Sequence, residues 1–208
     1  MRAMLISCCL LMAVPAFGEN IEQVLQRSQQ RRLQALSPVA EADSRAAVIR
    51  TSFERLLGAG HQPLVGVELR VVTGAVTAEC LFGRMIIANA SLADMPEGER
   101  LFVLAHELGH LINGHWTHLG SAFKRRIPGE VTQPHTDEIA LLLGPELSAL
   151  AHRHEYDADA YGLRAVQQLG FGLDAALASF LRHGVQQDTA THPSTRKRLA
   201  HLRVIEKQ

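Results

Sequence analysis

Residues 101–116 read LFVLAHELGHLINGHW and contain His106, Glu107 and His110 in the spacing His-Glu-x-x-His. On an α-helix, residues four apart lie one turn above each other, so both imidazoles face one side and can bind one metal ion. Glu107 lies beside the first histidine, where its carboxylate can reach a water molecule at that ion. The segment therefore predicts a helix that carries two metal ligands and a base.

The residues around this motif predict that the helix is buried. Apart from the motif residues, nearly all positions between 101 and 112 are apolar. A buried imidazole or carboxylate without a partner is costly, and a divalent metal ion supplies such a partner. A surface helix with two ordinary histidines would instead carry a polar face, which this segment lacks. Pro96 and Glu97 are typical of a helix start, and Gly114 is typical of a helix end.

The composition is that of an ordinary globular protein. The chain has 208 residues, of which 47% are apolar and 20% charged, and its formal net charge is zero. This length fits one domain, with or without a helical extension. The basic cluster Lys124-Arg125-Arg126 is better explained as part of a solvated loop, so nucleic acid is not predicted as a partner.

Residues 1–18 are predicted to be a cleavable signal peptide. Met1-Arg2 supplies a short positive start, residues 3–14 form an apolar run, and Ala16-Phe17-Gly18 offers small residues to a signal peptidase. The run is too short for a transmembrane helix, and no later stretch is long enough. Cleavage would remove Cys8 and Cys9 and leave Cys80 alone, so no intramolecular disulfide is predicted.

Apolar periodicity predicts a small sheet directly before the motif helix. Residues 19–60 read as two helices, and from residue 64 the period changes to two, with Val67, Leu69 and Val71 on one face. Two further strands are predicted at 76–82 and 84–88. A strand just before the motif helix either holds an extended peptide along its edge or lies in the core of the sheet, and the sequence leaves both open.

The second half of the chain is predicted to be mainly helical. Residues 117–144 are expected to form loops, and Pro145 is expected to open a long helix that Gly170 ends. A shorter helix is predicted from Leu173 to His183. A polar linker at 185–191 then leads to a last basic helix beginning at His192-Pro193.

Glu155 and Asp159 lie one turn apart in the predicted long helix, within the sequence HRHEYDADAYG. A catalytic zinc takes three protein ligands and keeps one position open, so Glu155 is a candidate third ligand. Asp159 is a candidate acceptor for the free ring N–H of a ligand histidine. The alternative is a pair of ordinary surface carboxylates, but small residues at 151, 158 and 160 favour close helix approach.

Three other histidines lie close to these motifs in the sequence. His115 invites comparison with the longer metzincin pattern His-Glu-x-x-His-x-x-Gly-x-x-His. That pattern needs glycine at 113 and histidine at 116, where the chain has Asn113 and Trp116, so it does not apply. His152 and His154 flank Glu155 but point off its helical face, so they are predicted to be solvated or structural.

Three segments together resemble family forty-eight of the zinc metallopeptidases, the HtpX-like group. They are HELGHLINGH, EYDADAYG and THPSTRKRLAHL, and the resemblance covers roughly residues 64–203 in the expected order. It implies one zinc per chain bound by His106, His110 and Glu155, with Glu107 as the catalytic base. It also implies a supporting carboxylate at Asp159, while His192 and Arg198 match the His-Pro and arginine of the C-terminal motif.

The resemblance implies an α+β, mainly helical fold, a zincin of the gluzincin type with a small β-sheet before the HExxH helix. The expected organisation is a signal peptide at 1–18, an N-terminal helical segment at 19–62 and a zinc peptidase domain at 63–208. The chain resembles a nearly bare peptidase domain of the exported, periplasmic type. Its expected partners are protein or peptide substrates, and peripheral association with envelope assembly machinery is compatible with this type.

The predicted activity is zinc-dependent endopeptidase cleavage of envelope proteins in protein quality control, by a metal-activated water with Glu107 as general base. His192 is the first candidate for the donor that steadies the oxyanion, ahead of Tyr156, Tyr161 and Arg198. Because His192 lies on a polar linker, it could instead occupy the open metal position in a resting state. The rival function is a zinc-stabilised chaperone or assembly factor with latent, self-inhibited peptidase activity. The presence of Glu107 argues against an inactive site, because a purely structural zinc site needs no catalytic base.

Overall fold

The structure, a computed structural model, describes residues 18–60, 65–182 and 184–207. The predicted signal peptide, except for Gly18, lies outside the described residues, as do Cys8 and Cys9. The predicted boundary between residues 62 and 63 also lies outside them. No helix within the described ranges is both long enough and apolar enough to cross a membrane.

Seven α-helices and four strands are formed by the described residues, in keeping with a mainly helical α+β fold. The helices are α1 (Ile21–Gln34), α2 (Ser44–Ala59), α3 (Glu97–Ile112), α4 (His115–Arg126), α5 (Gln133–Gln168), α6 (Leu173–Arg182) and α7 (Thr195–Ile205). The strands are β1 (Ser37–Pro38), β2 (Glu68–Thr73), β3 (Ala78–Leu81) and β4 (Met85–Asn89), and a short 3₁₀ helix spans Ala90–Asp94.

The four strands form one mixed sheet in the order β1-β2-β4-β3. The three strands predicted from period-two alternation are confirmed as β2, β3 and β4. β2 runs parallel to β4, with Val71 opposite Ala88, and β3 runs antiparallel to β4, with Cys80 opposite Ile86. β4 directly precedes the 3₁₀ helix and α3, but it is paired on both sides. The core-strand interpretation is therefore correct for β4, and its neighbour β3 lies at one edge of the sheet.

α3 is the central helix of the molecule, as its apolar sequence predicts. Its side chains Leu101, Leu104 and Ala105 are completely buried. α5 crosses it closely: a Cβ atom on Gly109 would lie 2.9 Å from Cα of Ala158. Two small residues at the crossing thus allow the backbones of α3 and α5 to approach, which brings the side chains of both helices into one site.

α5 begins twelve residues before the predicted start, so the expectation of loops across residues 117–144 is wrong. Pro134 lies in the first turn of α5 and Pro145 lies inside the helix. Proline fits a first turn because its nitrogen needs no partner there, whereas inside a helix it is tolerated only at a cost. The early part of α5 is held by a small cluster of Ile21, Ile127 and Leu143, a tertiary contact that local sequence does not reveal.

Other helix boundaries follow the sequence closely. α3 starts after Pro96 and ends at Ile112, Asn113 is its C-cap residue, and Gly114 then adopts a left-handed conformation with φ +63°. The two predicted N-terminal helices are confirmed as α1 and α2, and α2 contributes Ile49 and Phe53 to the main core. The last helix starts at Thr195, three residues after His192, and Ser194 occupies the N-cap position with an extended backbone.

Candidate metal centre

His106 and His110 project from the same face of α3, one turn apart. Their Nε2 atoms lie 3.1 Å from each other. The predicted helical spacing therefore produces two converging imidazoles. His106 is buried, and the side chain of His110 retains 19% of its accessible surface.

Glu155, from α5, completes a three-residue cluster with the two histidines. Its Oε2 lies 3.5 Å from Nε2 of His106, and its Oε1 lies 3.3 Å from Nε2 of His110. The three candidate ligand atoms all lie within 4.8 Å of one another. The close crossing of α3 and α5 is what brings this carboxylate to the motif.

The geometry of the cluster fits a zinc ion. Tetrahedral ligands at about 2.0–2.2 Å from zinc are separated from each other by about 3.3–3.5 Å, and the distances here span 3.1–3.5 Å. Oε2 of Glu155 is buried and accepts no hydrogen bond of regular geometry, and its close partner is the charge of Arg198, whose Nη1 lies 3.0 Å away. Two imidazole nitrogens and a carboxylate are also a donor set that zinc takes in catalytic sites.

Asp159 lies behind His106, as predicted for a carboxylate that orients a ligand. Its Oδ1 is 3.0 Å from Nδ1 of His106, and the residue is completely buried. Burial alone would raise the pKa of Asp159, but the charge and hydrogen bonds of Arg198 and the bond to His106 bring that pKa below its usual value. The carboxylate therefore remains ionised and accepts the ring N–H of His106.

Arg198, from α7, joins the two carboxylates of α5. It donates from Nε and Nη2 to Asp159, at 2.8 and 2.5 Å, and its Nη1 lies 3.0 Å from Oε2 of Glu155. Its guanidinium also lies over the ring of Phe180, 4.5 Å from the centroid. Burial alone would raise the pKa of Glu155, but His110, His106 and Arg198 bring it well below the usual range.

Glu107 lies between two cavities that meet at the cluster. One has a volume of about 190 Å³ and is bounded by Phe102, Val103 and Phe180. The other has a volume of about 410 Å³ and extends between β3, α4, α5 and α1. His106, Glu107, Glu155 and His192 line both cavities. The cluster thus opens into a continuous cleft, with the candidate base at its centre.

His192 faces the cluster from the segment before α7. Its Nε2 lies 3.6 Å from Oε1 of Glu155, and its Nδ1 lies 2.8 Å from the Thr191 hydroxyl. The side chain is 55% exposed. The other candidate donors are placed differently: Tyr156 packs against His201, neither tyrosine lines the cleft, and Arg198 is engaged by both carboxylates.

His115 is a residue whose contact with the site the sequence did not predict. It is absent from the three-residue cluster, so its rejection as the metzincin ligand is consistent with the geometry. However, its Nδ1 lies 2.9 Å from Nδ1 of His110. His154 stacks on the ring of His115 at 3.9 Å and 9° and is buried, so it is not solvated. The signal that could have found this contact is the position of His115 just after the Gly114 turn.

The imidazoles of His115 and His154 are kept neutral by their surroundings. Burial, with the neighbouring histidines, lowers the pKa of His115 to about 3. The same causes lower the pKa of His154 to about 4. At neutral pH each ring therefore has one N–H donor and one bare nitrogen acceptor.

Comparison with known proteins gave one family match. The model of peptidase family M48 matches residues 131–206, a range that includes Glu155, Asp159, His192 and Arg198 but not the motif on α3. No curated protein matches the chain. The match over residues 131–206 shows that this part of the chain is similar to peptidase family M48 and supports a metallopeptidase of that family.

Proposed function

We propose that the protein is a zinc-dependent endopeptidase that hydrolyses internal peptide bonds of protein substrates. The observation that carries this proposal is the convergence of His106, His110 and Glu155 at distances that suit zinc, with Glu107 beside them in an open cleft. His106 and His110 would hold the ion through Nε2, and Glu155 through its carboxylate. One zinc per chain is expected.

Zinc bound by these residues would supply a Lewis acid that polarises the scissile carbonyl and lowers the pKa of water to about 7. Glu107 then takes a proton from the attacking water and passes it to the leaving amine as the C–N bond breaks. Asp159 keeps the proton of His106 on Nδ1, which leaves Nε2 free for the ion. Arg198 compensates the negative charge of the two buried carboxylates.

The substrate is proposed to bind in extended form along β3. This strand is the edge of the sheet on the side of α3, and Ala78 lines both cavities beside His106 and Glu107. An extended peptide that adds to this edge gains main-chain hydrogen bonds whatever its sequence. Strand addition therefore suits unfolded or poorly assembled proteins, whose backbones are accessible.

The proposed working location is the periplasm, after removal of residues 1–18, and the proposed substrates are envelope proteins in quality control. The sequence of residues 1–18 and the resemblance to exported peptidases support this proposal. Peripheral association with envelope assembly machinery belongs to the same proposal. Cell fractionation of the full chain tests it, and retention of uncleaved protein in the cytoplasm would contradict it.

The decisive experiment for the activity compares the parent with Glu107→Gln, using casein as an unfolded substrate. The zinc-loaded parent should cleave casein, and a zinc chelator should abolish cleavage. Glu107→Gln should lose cleavage while it retains one zinc, because glutamine keeps the shape of the side chain but cannot accept the proton. Near-normal cleavage by Glu107→Gln would refute the base assignment. A parent that binds zinc but leaves casein and itself intact would favour the chaperone function.

His192 is proposed to occupy the open metal position in a resting state. Its Nε2 lies 3.6 Å from Glu155, close to the separation of atoms that share one ion. His192→Ala should then raise basal cleavage of casein or of the protein itself. A fall in turnover of roughly 10²-fold would instead identify His192 as the oxyanion donor. Activity within about twofold of the parent would exclude both roles.

A further inference from the structure

The two candidate histidine ligands have different partners behind them. A metal-bound histidine usually donates its second ring N–H to a carboxylate, a carbonyl or water. His106 follows this pattern, because its Nδ1 lies 3.0 Å from Asp159. The Nδ1 of His110 instead lies 2.9 Å from Nδ1 of another imidazole, that of His115.

The position of the metal determines which of these two nitrogens donates. If His110 binds the ion through Nε2, its proton must reside on Nδ1. Nδ1 of His115 must then be the bare acceptor, and the proton of His115 must lie on its own Nε2. A single tautomer of each ring satisfies the contact, so the pair fixes the proton on His110 where a metal ligand requires it.

In this orientation, Nδ1 of His115 contacts His110, whereas Nε2 of His115 forms no hydrogen bond. The residue is 5% exposed, and its Nε2 is buried without a hydrogen-bond partner. Buried polar atoms without partners are rare in native proteins, and they often indicate a functional constraint. His154, from α5, stacks on the ring with a centroid separation of 3.9 Å.

The backbone also directs His115 towards His110. α3 ends at Ile112 with Asn113 as its C-cap, Gly114 adopts φ +63°, and His115 is the first residue of α4. A left-handed conformation at this position favours glycine, which has no Cβ atom to clash. The reversal of the chain within two residues therefore returns the His115 ring to the end of α3.

We infer that His115 is a positioning residue that accepts the Nδ1 hydrogen of His110 and thereby fixes this ligand for zinc. The inference rests on the proposed zinc site and adds to it a residue that the three-ligand set does not contain. Zinc would thus be held by one histidine oriented by a carboxylate and by another oriented by a neutral imidazole.

Three variants separate positioning from packing. His115→Phe keeps an aromatic ring against His154 but removes the acceptor. His115→Asn removes the ring but retains an oxygen acceptor at about the place of Nδ1. The control, His154→Phe, changes the stacking partner and leaves the His110–His115 contact intact. Zinc affinity is measured by competition with a chromogenic chelator, and the thermal midpoint of each metal-free protein is measured in parallel.

We expect His115→Phe to lower zinc affinity by about 10–100-fold, the usual effect of losing the group behind a ligand histidine. The metal-free midpoint of this variant should not fall, because phenylalanine buries no unpartnered nitrogen. His115→Asn should recover most of the affinity, and His154→Phe should bind zinc like the parent. Parental affinity in His115→Phe would overturn the inference, as would equal losses in all three variants. A parent that binds no zinc would instead refute the proposed function.

A measurement on the parent protein tests the inference without any variant. In ¹⁵N-labelled, zinc-loaded protein, the imidazole signals should show a protonated, hydrogen-bonded Nδ1 on His110 and a bare Nδ1 on His115. Coordination of His110 through Nδ1, or a proton on Nδ1 of His115, would overturn the assignment.

Discussion

At the scale of single residues, the site combines four groups whose burial would be costly for each alone. Asp159 and Glu155 are buried carboxylates, and Arg198 lies between them at 2.5 and 3.0 Å. A buried charge is tolerated when it is paired and hydrogen-bonded. Because His106 also bonds to Asp159, the guanidinium and this candidate ligand share one carboxylate, and the position of the imidazole depends on both.

Replacing Asp159 by asparagine should weaken zinc binding by about 10–100-fold. The amide keeps the size of the side chain but bonds more weakly to the N–H of His106 and no longer compensates the charge of Arg198. Zinc affinity, measured by chelator competition, checks this expectation. Asp157→Asn is the matched control, because Asp157 lies in the same helix with its side chain exposed. Equal affinities in the two variants would mean that Asp159 has no part in the metal site.

Most of the candidate site residues could be predicted because residues one helical turn apart lie on the same face of a helix. His106, Glu107 and His110 follow from one helical turn, and Glu155 with Asp159 follows from another. The contact of His115 with His110 could not be predicted in this way, since it depends on a left-handed turn at Gly114 and on the direction of the His115 ring. Spacing along a chain does not specify such a contact between two side chains.

At the scale of elements, the crossing of α3 and α5 decides whether the three candidate ligands meet. Gly109 faces Ala158 at this crossing, and Gly162 lies against Phe102 and the backbone of His106. The neighbouring atoms include backbone, so they cannot move aside as a flexible side chain would. The distance between the two helices is therefore set by residues without side-chain bulk.

Gly109→Ala should separate the two helices and weaken both the fold and the metal site. Its new Cβ would lie 2.9 Å from Cα of Ala158 and 3.0 Å from the carbonyl oxygen of that residue. Overpacking of this kind costs about 1–3 kcal/mol. Because Glu155 lies one turn from Ala158, we also expect lower zinc affinity. Thermal unfolding and chelator competition measure the two effects.

The matched control is Gly120→Ala in α4, where no atom lies within 4 Å of the added Cβ. That change should stabilise the protein by about 0.4–1 kcal/mol through reduced freedom of the unfolded chain. If Gly109→Ala behaved like Gly120→Ala, the crossing would be looser than the structure indicates.

The elements that sequence predicted poorly are those stabilised by distant contacts. The three strands and both N-terminal helices followed from periodicity. In contrast, Pro145 suggested a helix start but lies within α5, and α4 was missed. Both errors concern the region packed on α1, where Ile21, Ile127 and Leu143 form a cluster across more than 100 residues of sequence.

At the scale of the whole molecule, the sheet, α3 and α5 form one cleft with the metal cluster near its middle. β3 provides one wall, α4 and α5 provide the other, and α1 reaches the cleft through Gln29 and Arg32. Gln29 accepts a hydrogen bond from the backbone of Phe82, and Arg32 forms an ion pair with Glu79 of β3. The N-terminal helix is thus tied to the strand proposed to bind the substrate.

The most direct test of the zinc peptidase assignment is anomalous diffraction at the zinc edge from crystals of the zinc-loaded protein. We predict one strong peak per chain, at about 2.0–2.2 Å from Nε2 of His106, Nε2 of His110 and a carboxylate oxygen of Glu155. Absence of a peak between these three residues, or a peak bound only by other side chains, would contradict the assignment.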